Sequence, residues 1–323
     1  MRSPNGKLVT IFGGSGFIGR HVARALAKRG YRVRAAVRRP DLALFLAPMG
    51  VVGQVTAVQA NLRYPDSVAR AIAGADVVIN LVGVLAESGK QTFEAVQATG
   101  AETVAKAAAA AGVSAFIQMS AIGADAESES AYARSKAQGE AAALAARPDA
   151  IIVRPSIVFG PEDSFFNRFA AMARFSPALP LIGGGETKLQ PVFVGDVAEM
   201  IARAVDGAAP GGRVYELGGP DIRSFRELME FTLTTIERRR LLVPVPWALA
   251  MMQAQVLELL PGALLTTDQV RLLQQDNIVS AAAVSETRTL EGLGVRPSAI
   301  EAVVPSYLWR FRKAGQFEDI KAR

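Results

Sequence analysis

The chain has 323 residues, half of them hydrophobic and a fifth charged, which supplies a substantial core and excludes a disordered chain. It has no cysteine and a single histidine, His21, so disulfides, thiolate nucleophiles and cysteine metal sites are excluded. A Ser-His-Asp triad or a histidine-rich metal site has little to be built from, and no metal is expected. The net charge of +6 suits an anionic partner such as a phosphorylated cofactor, an acidic membrane face or nucleic acid, but an ordinary basic soluble surface is the better explanation. No nucleic-acid motif is present.

Met1 to Lys7 is short and polar, so no secretory signal is expected. Lys7 to Phe12 predicts a short apolar strand, followed by a glycine loop and a helix over about Phe17 to Arg29. Ile18, Val22, Ala25 and Leu26 share one face of that helix, and Gly30 closes it. Tyr31 to Val37 and Val55 to Gln59 predict two further strands, and Asp76 to Val82 is a continuous apolar run typical of a buried parallel strand. A long alanine-rich helix is predicted from Thr92 to Ala111, ended by Gly112. A strand at Ala115 to Met119, a helix at Ala131 to Ala145 and a strand at Ala150 to Val153 complete the series. Strands alternating with helices mean βαβ units, hence an α/β fold with a Rossmann-like, doubly wound parallel sheet. The alternation loosens after Pro155, so the expected division is a dinucleotide-binding domain over 1–176 and a smaller C-terminal α/β lobe over 177–323, interleaved with the sheet. The most apolar stretch, Leu241 to Leu265, is broken by Pro244, Pro246, Glu258 and Pro261 and does not read as a spanning helix.

The glycine loop Gly13-Gly14-Ser15-Gly16-Phe17-Ile18-Gly19 has the spacing G-x-x-G-x-x-G. Alone the spacing is a weak signal, but it lies at the first strand-to-helix turn, where a dinucleotide pyrophosphate must approach backbone N–H groups at a helix N-terminus. Gly13, Ser15, Gly16, Phe17, Ile18 and Gly19 are therefore candidate cofactor contacts. The second strand runs into Arg38-Arg39-Pro40 with no carboxylate before Asp41. A guanidinium there pairs bidentately with a 2′-phosphate, which favours NADP(H) over NAD. Asn61 and Leu62, after the third strand, are candidates for the adenine.

Tyr132 and Lys136 form a Y-x-x-x-K pair one helical turn apart. A nearby ammonium stabilises a phenolate, and Lys136 can also hydrogen-bond a nicotinamide ribose. Ser120 ends the preceding strand and can polarise a carbonyl. Ser120, Tyr132 and Lys136 are the candidate catalytic residues. His21 reads as structural, and Asp196 as the cap of a helix. Gly183-Gly184-Gly185 reads as a flexible loop near a substrate cleft.

Taken in series, these stretches resemble the extended or atypical short-chain dehydrogenases/reductases. Asn80-Leu81-Val82-Gly83-Val84, Arg154 through Pro161 and Val194-Gly195-Asp196-Val197-Ala198 add to the likeness. Ser120 through Asp125, Tyr132 through Glu140, Pro161 through Arg168, Gln190 through Val194 and Asp268-Gln269-Val270 resemble in particular the NDUFA9-like group, related to the 39-kDa accessory subunit of respiratory complex I. The resemblance implies a tightly held NADPH, with Leu81, Val82, Gly83, Pro155 and Ile157 as further cofactor contacts. It also implies nearness to complex I subunits, to a membrane surface and to ubiquinone chemistry. A cytoplasmic location, peripheral on the cytoplasmic face of the inner membrane, is the corresponding expectation. Two departures weigh against turnover: the segment between Ser120 and Tyr132 is short, and the asparagine of the classical proton relay has no clear match, Gln97 being the nearest. Three readings remain open: an NADPH-holding accessory or scaffold protein, an active NADP-dependent reductase, dehydrogenase or epimerase, and a nucleotide-sensing module. The basic runs Arg238-Arg239-Arg240 and Tyr307 through Lys313 suit either a membrane or protein surface or a solvated helix face.

Overall fold

The computed structural model describes residues 6–258 and 265–313, so 259–264 of the apolar stretch lie outside the described residues. Two compact units emerge: one built from Met1–Pro155, Gly195–Leu217 and Ser280–Val295, the other from Ser156–Val194, Gly218–Val279 and Arg296–Arg323.

The first unit is a seven-stranded parallel sheet with helices packed on it. Its strands are β1 (Leu8–Phe12), β2 (Arg32–Val37), β3 (Val55–Gln59), β4 (Val77–Asn80), β5 (Ala115–Met119), β6 (Ile151–Pro155) and a last strand, Arg213–Leu217. The order is Arg213–Leu217, β6, β5, β4, β1, β2, β3, so the chain winds outward from β1 in both directions. Every residue of β1 and β4 is buried, which is why both read as unbroken apolar runs rather than alternating ones. Helix α1 (Phe17–Lys28) buries Gly19, Val22, Ala23, Leu26 and Ala27 at helical spacing, and Gly30, at φ +87°, takes the left-handed turn that ends it. Helices α2 (Pro65–Ile72), α3 (Thr99–Ala110) and α4 (Ala131–Ala146) follow. The alanine content of α3 has a packing reason: Ala101, Ala105 and Ala108 are fully buried and let the helix lie close to its neighbours. Phe12, Ile72, Phe116 and Ile152 anchor the shared core.

Two departures from the sequence reading stand out. Residues 92–111 do not form one regular helix; Glu94–Ala98 is a π turn that runs into α3. At this turn α4 approaches closely: a Cβ on Gly139 would lie 2.2 Å from the Gln97 carbonyl oxygen, so this carbonyl abuts the neighbouring helix. The short helix α2 and the 3₁₀ segment Pro40–Met49 were not signalled, because α2 buries only Val68, Ala71 and Ile72.

The second unit has an aromatic core containing Phe159, Phe166, Phe225 and Tyr307. The Tyr307 hydroxyl donates to Asp163 at 2.6 Å, and Asp163 also accepts the amides of Gly160, Phe165 and Asn167. Residues Leu241–Val245 form a strand paired in parallel with Ala178–Ile182, and Trp247–Leu257 is a separate helix. No helix among the described residues is long and apolar enough to cross a membrane. Residues Gly183–Gly185 form a 3₁₀ turn, all three at positive φ. The helix Val194–Val205 begins before Asp196, which stands in its first turn rather than at the cap position the sequence suggests.

Phe116 is fully buried at the centre of the first unit's core. Phe116→Ala is expected to destabilise the chain by about 3–5 kcal/mol, read as a lower urea midpoint.

Candidate functional site

The glycine loop is held by close backbone approaches. Gly13 has φ +77°, and its amide donates to the Ala36 carbonyl of β2 at 3.1 Å. A Cβ on Gly14 would lie 2.8 Å from that of Ala35. On Gly19 it would lie 2.2 Å from the Gly13 oxygen and 2.7 Å from the Gly14 Cα, so α1 rests directly on the loop. Gly16 occupies the N-cap position, with no side-chain capping bond and no acidic residue in the first turn of α1. The first-turn amides, which have no partner within the helix, thus meet neither a capping side chain nor a repelling carboxylate. This cradle fits a pyrophosphate.

Next to it, Gly13 lies against the β4 end, where its missing Cβ would meet Val82 at 3.3 Å and the Leu81 carbonyl carbon at 3.4 Å. Buried Asn80 fixes that end: its Nδ2 donates to Gln118 Oε1 at 2.9 Å, and its Oδ1 accepts the Val82 amide at 3.2 Å. Gly83, two residues past the Leu81 amide that bonds Phe12, leads to Lys136 Nζ, 3.1 Å from where its Cβ would be.

Helix α4 is started by Ser130, whose hydroxyl accepts the Ala133 amide. Lys136 is buried, with its ammonium 5.7 Å from the centre of the Tyr132 ring. Burial pushes this ammonium down to about 8, against a smaller upward pull from Glu140. Tyr132 is half-buried and meets Phe93 edge-on at 5.8 Å. Gln97, in the π turn, donates to Ser135 Oγ at 3.3 Å. Among the described residues, the Gln97 Oε1 and the hydroxyl of Ser120 are buried without a hydrogen-bond partner, as acceptors and donors reserved for a ligand would be. The segment from Ser120 to Tyr132 is short and self-tied: the Glu127 amide bonds Asp125, the Ser130 amide bonds Ser128, and Arg134 donates to the Ser128 carbonyl.

The two arginines after β2 differ. Arg39 is engaged side-on by Asp41 at 2.8 and 3.0 Å, which holds the Asp41 carboxyl below its usual range. Arg38 is exposed and makes no hydrogen bond or ion pair among the described residues. Asn61 caps its own turn by accepting the Arg63 amide, while Leu62 packs into the core against Gly100. Pro155 ends β6 and accepts the Ile122 amide at 3.1 Å. In the second unit, Ile157 accepts the Val192 amide at 2.9 Å. The sequence reading missed Arg20, which bonds the Ser15 and Gly16 carbonyls and stacks 4.9 Å above Phe45. Its position four residues after Gly16 was the available signal. It also gave no role to Glu140, although that residue is one turn beyond Lys136.

This loop-and-helix arrangement defines a Rossmann-type dinucleotide protein, and the chain belongs to the NAD dependent epimerase/dehydratase family, whose pattern it matches over residues 9–218. Within it, the chain is a member of the NDUFA9-like group. It is 36% identical over 325 residues to the NADH dehydrogenase [ubiquinone] 1 alpha subcomplex subunit 9, mitochondrial, of Arabidopsis thaliana, covering 97% of this chain and 80% of that one. A ceramide reductase of Caulobacter vibrioides is 39% identical over 175 residues, 54% of each chain. Among solved structures, an NADPH-dependent quinone oxidoreductase from Escherichia coli, complexed with NADPH, shares the fold with a TM-score of 0.73 at 21% identity, over 93% of this chain and 99% of that one.

The lowered Lys136 has a consequence for stability. Below about pH 8 the amine is charged in both folded and unfolded chains, and folding carries the full cost of burying it. Between about 8 and the ordinary value of 10.5 the unfolded chain binds more protons, so stability rises with pH. Lys136→Met is expected to be more stable than the parent at pH 7, by about 3 kcal/mol at most, with the advantage vanishing toward pH 10.5 in urea titrations.

Proposed function

We propose that this chain holds NADP(H) on its glycine loop and acts as an accessory, assembly or scaffold component linked to respiratory complex I or to quinone metabolism. The observation that carries the nucleotide half is the uncapped, acid-free N-terminus of α1 resting on Gly13, Gly14 and Gly19. Gly13, Ser15, Gly16, Phe17, Ile18 and Gly19 form the pyrophosphate cradle in this reading. Arg38 reads the 2′-phosphate, Asn61 and Leu62 border the adenine, and Leu81, Val82 and Gly83 line the path to the nicotinamide. Tyr132 and Lys136 meet its ribose, and Pro155 completes the contacts of the first unit. The preference for NADP(H) over NAD rests on Arg38 being uncommitted while the nearest carboxylate, Asp41, is already paired with Arg39.

The accessory role is supported by a likeness to a complex I subunit over nearly the whole chain. Complex I subunits or a membrane surface are the partners it implies. A cytoplasmic location, peripheral on the cytoplasmic face of the inner membrane, goes with this reading. The helix Trp247–Leu257 buries Ala250 and Ala254 and exposes Leu249, Met252 and Val256, an apolar surface open to such a contact. Purification from native membranes, with mass spectrometry of the released nucleotide and of co-purifying proteins, tests this reading. NADP(H) and complex I subunits are the expected finds.

A specific observation favours a second reading, an active NADP-dependent reductase, dehydrogenase or epimerase. Ser120 Oγ and Gln97 Oε1 are buried and unpartnered, and Tyr132 and Lys136 are in place. In such an enzyme the nicotinamide supplies or accepts a hydride, while Tyr132 exchanges a proton and Ser120 polarises the carbonyl. Turnover of a defined carbonyl or alcohol substrate, lost on Tyr132→Phe, would overturn the scaffold as the sole role.

The NADP(H) preference has its own check. Arg38→Ala is expected to weaken NADPH binding by roughly 10- to 100-fold in fluorescence titrations, with NADH binding little changed. Arg39→Ala is expected to have a smaller effect on NADPH, because Asp41 already holds that guanidinium.

A further inference from the structure

Helix α4 sets Tyr132, Lys136 and Glu140 at successive turns of one stripe, and both Lys136 and Glu140 are 6% exposed. Glu140 does not use its carboxylate to bond the lysine. Both of its oxygens are taken by Arg154 of β6, whose Nε and Nη2 donate at 2.8 and 2.6 Å in a fork-on-fork pair. Arg154 Nη1 lies a further 3.9 Å from Glu216. The charged and titratable groups about Lys136 are thus Tyr132 and Glu140 on its own helix, Arg154 behind Glu140, and Glu216 beyond that. The π turn brings Gln97 and the β4 end brings Gly83, neither of which titrates.

We propose that Glu140, clamped by Arg154, is a positioning residue that sets the charge of Lys136 and with it the pH range over which the dinucleotide is held. The proposal rests on the reading above that Lys136 meets the nicotinamide ribose. A buried ammonium with a free carboxylate one turn away would stay charged throughout the neutral and alkaline range. With that carboxylate absent, burial would neutralise it well below its ordinary range. Arg154, held on both carboxylate oxygens, offsets part of the field of Glu140 at Lys136, and burial outweighs what remains, so the ammonium titrates near pH 8.

The two halves of the clamp therefore act with opposite signs. Glu140→Gln removes the pull on Lys136, and Arg154→Gln releases the full carboxylate toward it. A residue that only braces helix against sheet would weaken binding in both variants without moving a pH midpoint.

The test is the NADPH dissociation constant of the full chain between about pH 6 and 10, followed by nucleotide fluorescence, which brackets the histidine-to-lysine range. The parent is expected to lose affinity through one midpoint near 8. Glu140→Gln is expected to move this midpoint down by roughly one pH unit and Arg154→Gln to move it up by a similar amount. Glu140→Asp, which keeps the charge, should restore the parental midpoint, and Lys136→Arg should abolish it. Midpoints that coincide, or that move the same way in the Gln variants, overturn the proposal. Where a Gln variant does not fold, a midpoint that survives Lys136→Arg overturns it as well. A parent that binds NADPH with no pH midpoint overturns this inference alone, whereas a parent that binds no dinucleotide overturns the glycine-loop reading beneath it.

Discussion

The approach of α1 to the end of β1 is the constraint on which the candidate site depends. A single methyl group on Gly19 would stand 2.2 Å from the Gly13 oxygen, and one on Gly14 would run into Ala35 of the adjacent strand. Only with both positions bare does the helix start directly on the strand end, with its unpaired amides facing the space beyond the sheet. That placement makes the helix dipole useful, because its field falls off within about a turn. Gly13, at φ +77°, completes the turn and brings the loop against Leu81 and Val82. The cradle is thus made of backbone and depends on side chains chiefly by their absence.

A second close approach organises the opposite end of the site. Gly139 lets α4 lie against the Gln97 carbonyl, and the chain there takes a π turn at Glu94–Ala98. The turn carries Gln97 into the interior beside Ser135, facing the same helix that carries Tyr132 and Lys136. Burial here is costly for every polar atom left without a partner. A lysine with its charge weakened by desolvation, an amide oxygen and a serine hydroxyl without hydrogen bonds are therefore maintained against stability. Such groups concentrate where a ligand completes the bonding.

The sequence made the central sheet and the glycine loop legible because both rest on short-range patterns. β3 and β5 begin and end at the predicted residues, and α1 differs from its predicted bounds only at its last residue, since the buried β5 reads as a largely apolar run and Gly30 marks a helix end. What the pattern did not carry was tertiary. Nothing near Gln97 signals a π turn, and the helix that packs on it meets it through Gly139, forty-two positions away along the chain. Leu62 follows a strand where a nucleotide contact is expected, and its packing against Gly100 is a second contact that the sequence did not signal. Arg38 and Arg39 are chemically identical in the sequence, and only the fold shows that Asp41 claims the second.

That last distinction bears on how holding a nucleotide and spending it come apart. Under the proposed reading, holding would rest on the glycines, on a free guanidinium and on the grip of Lys136 on the ribose. Spending would need Ser120 and Tyr132 as well, and room for a substrate beside them. In this chain the chemical side chains persist while the segment leading from Ser120 to Tyr132 is drawn tight by its own bonds, through Asp125, Ser128 and Arg134. A loop tied to itself gains order at the expense of adapting to a guest. The pressure on such a protein to keep Lys136 buried and charged then comes from the ribose it would grip, a role that survives without turnover. Under the scaffold reading, Tyr132 and Lys136 are kept as a clamp, and the same two residues that would define a reductase define the permanence of its cofactor.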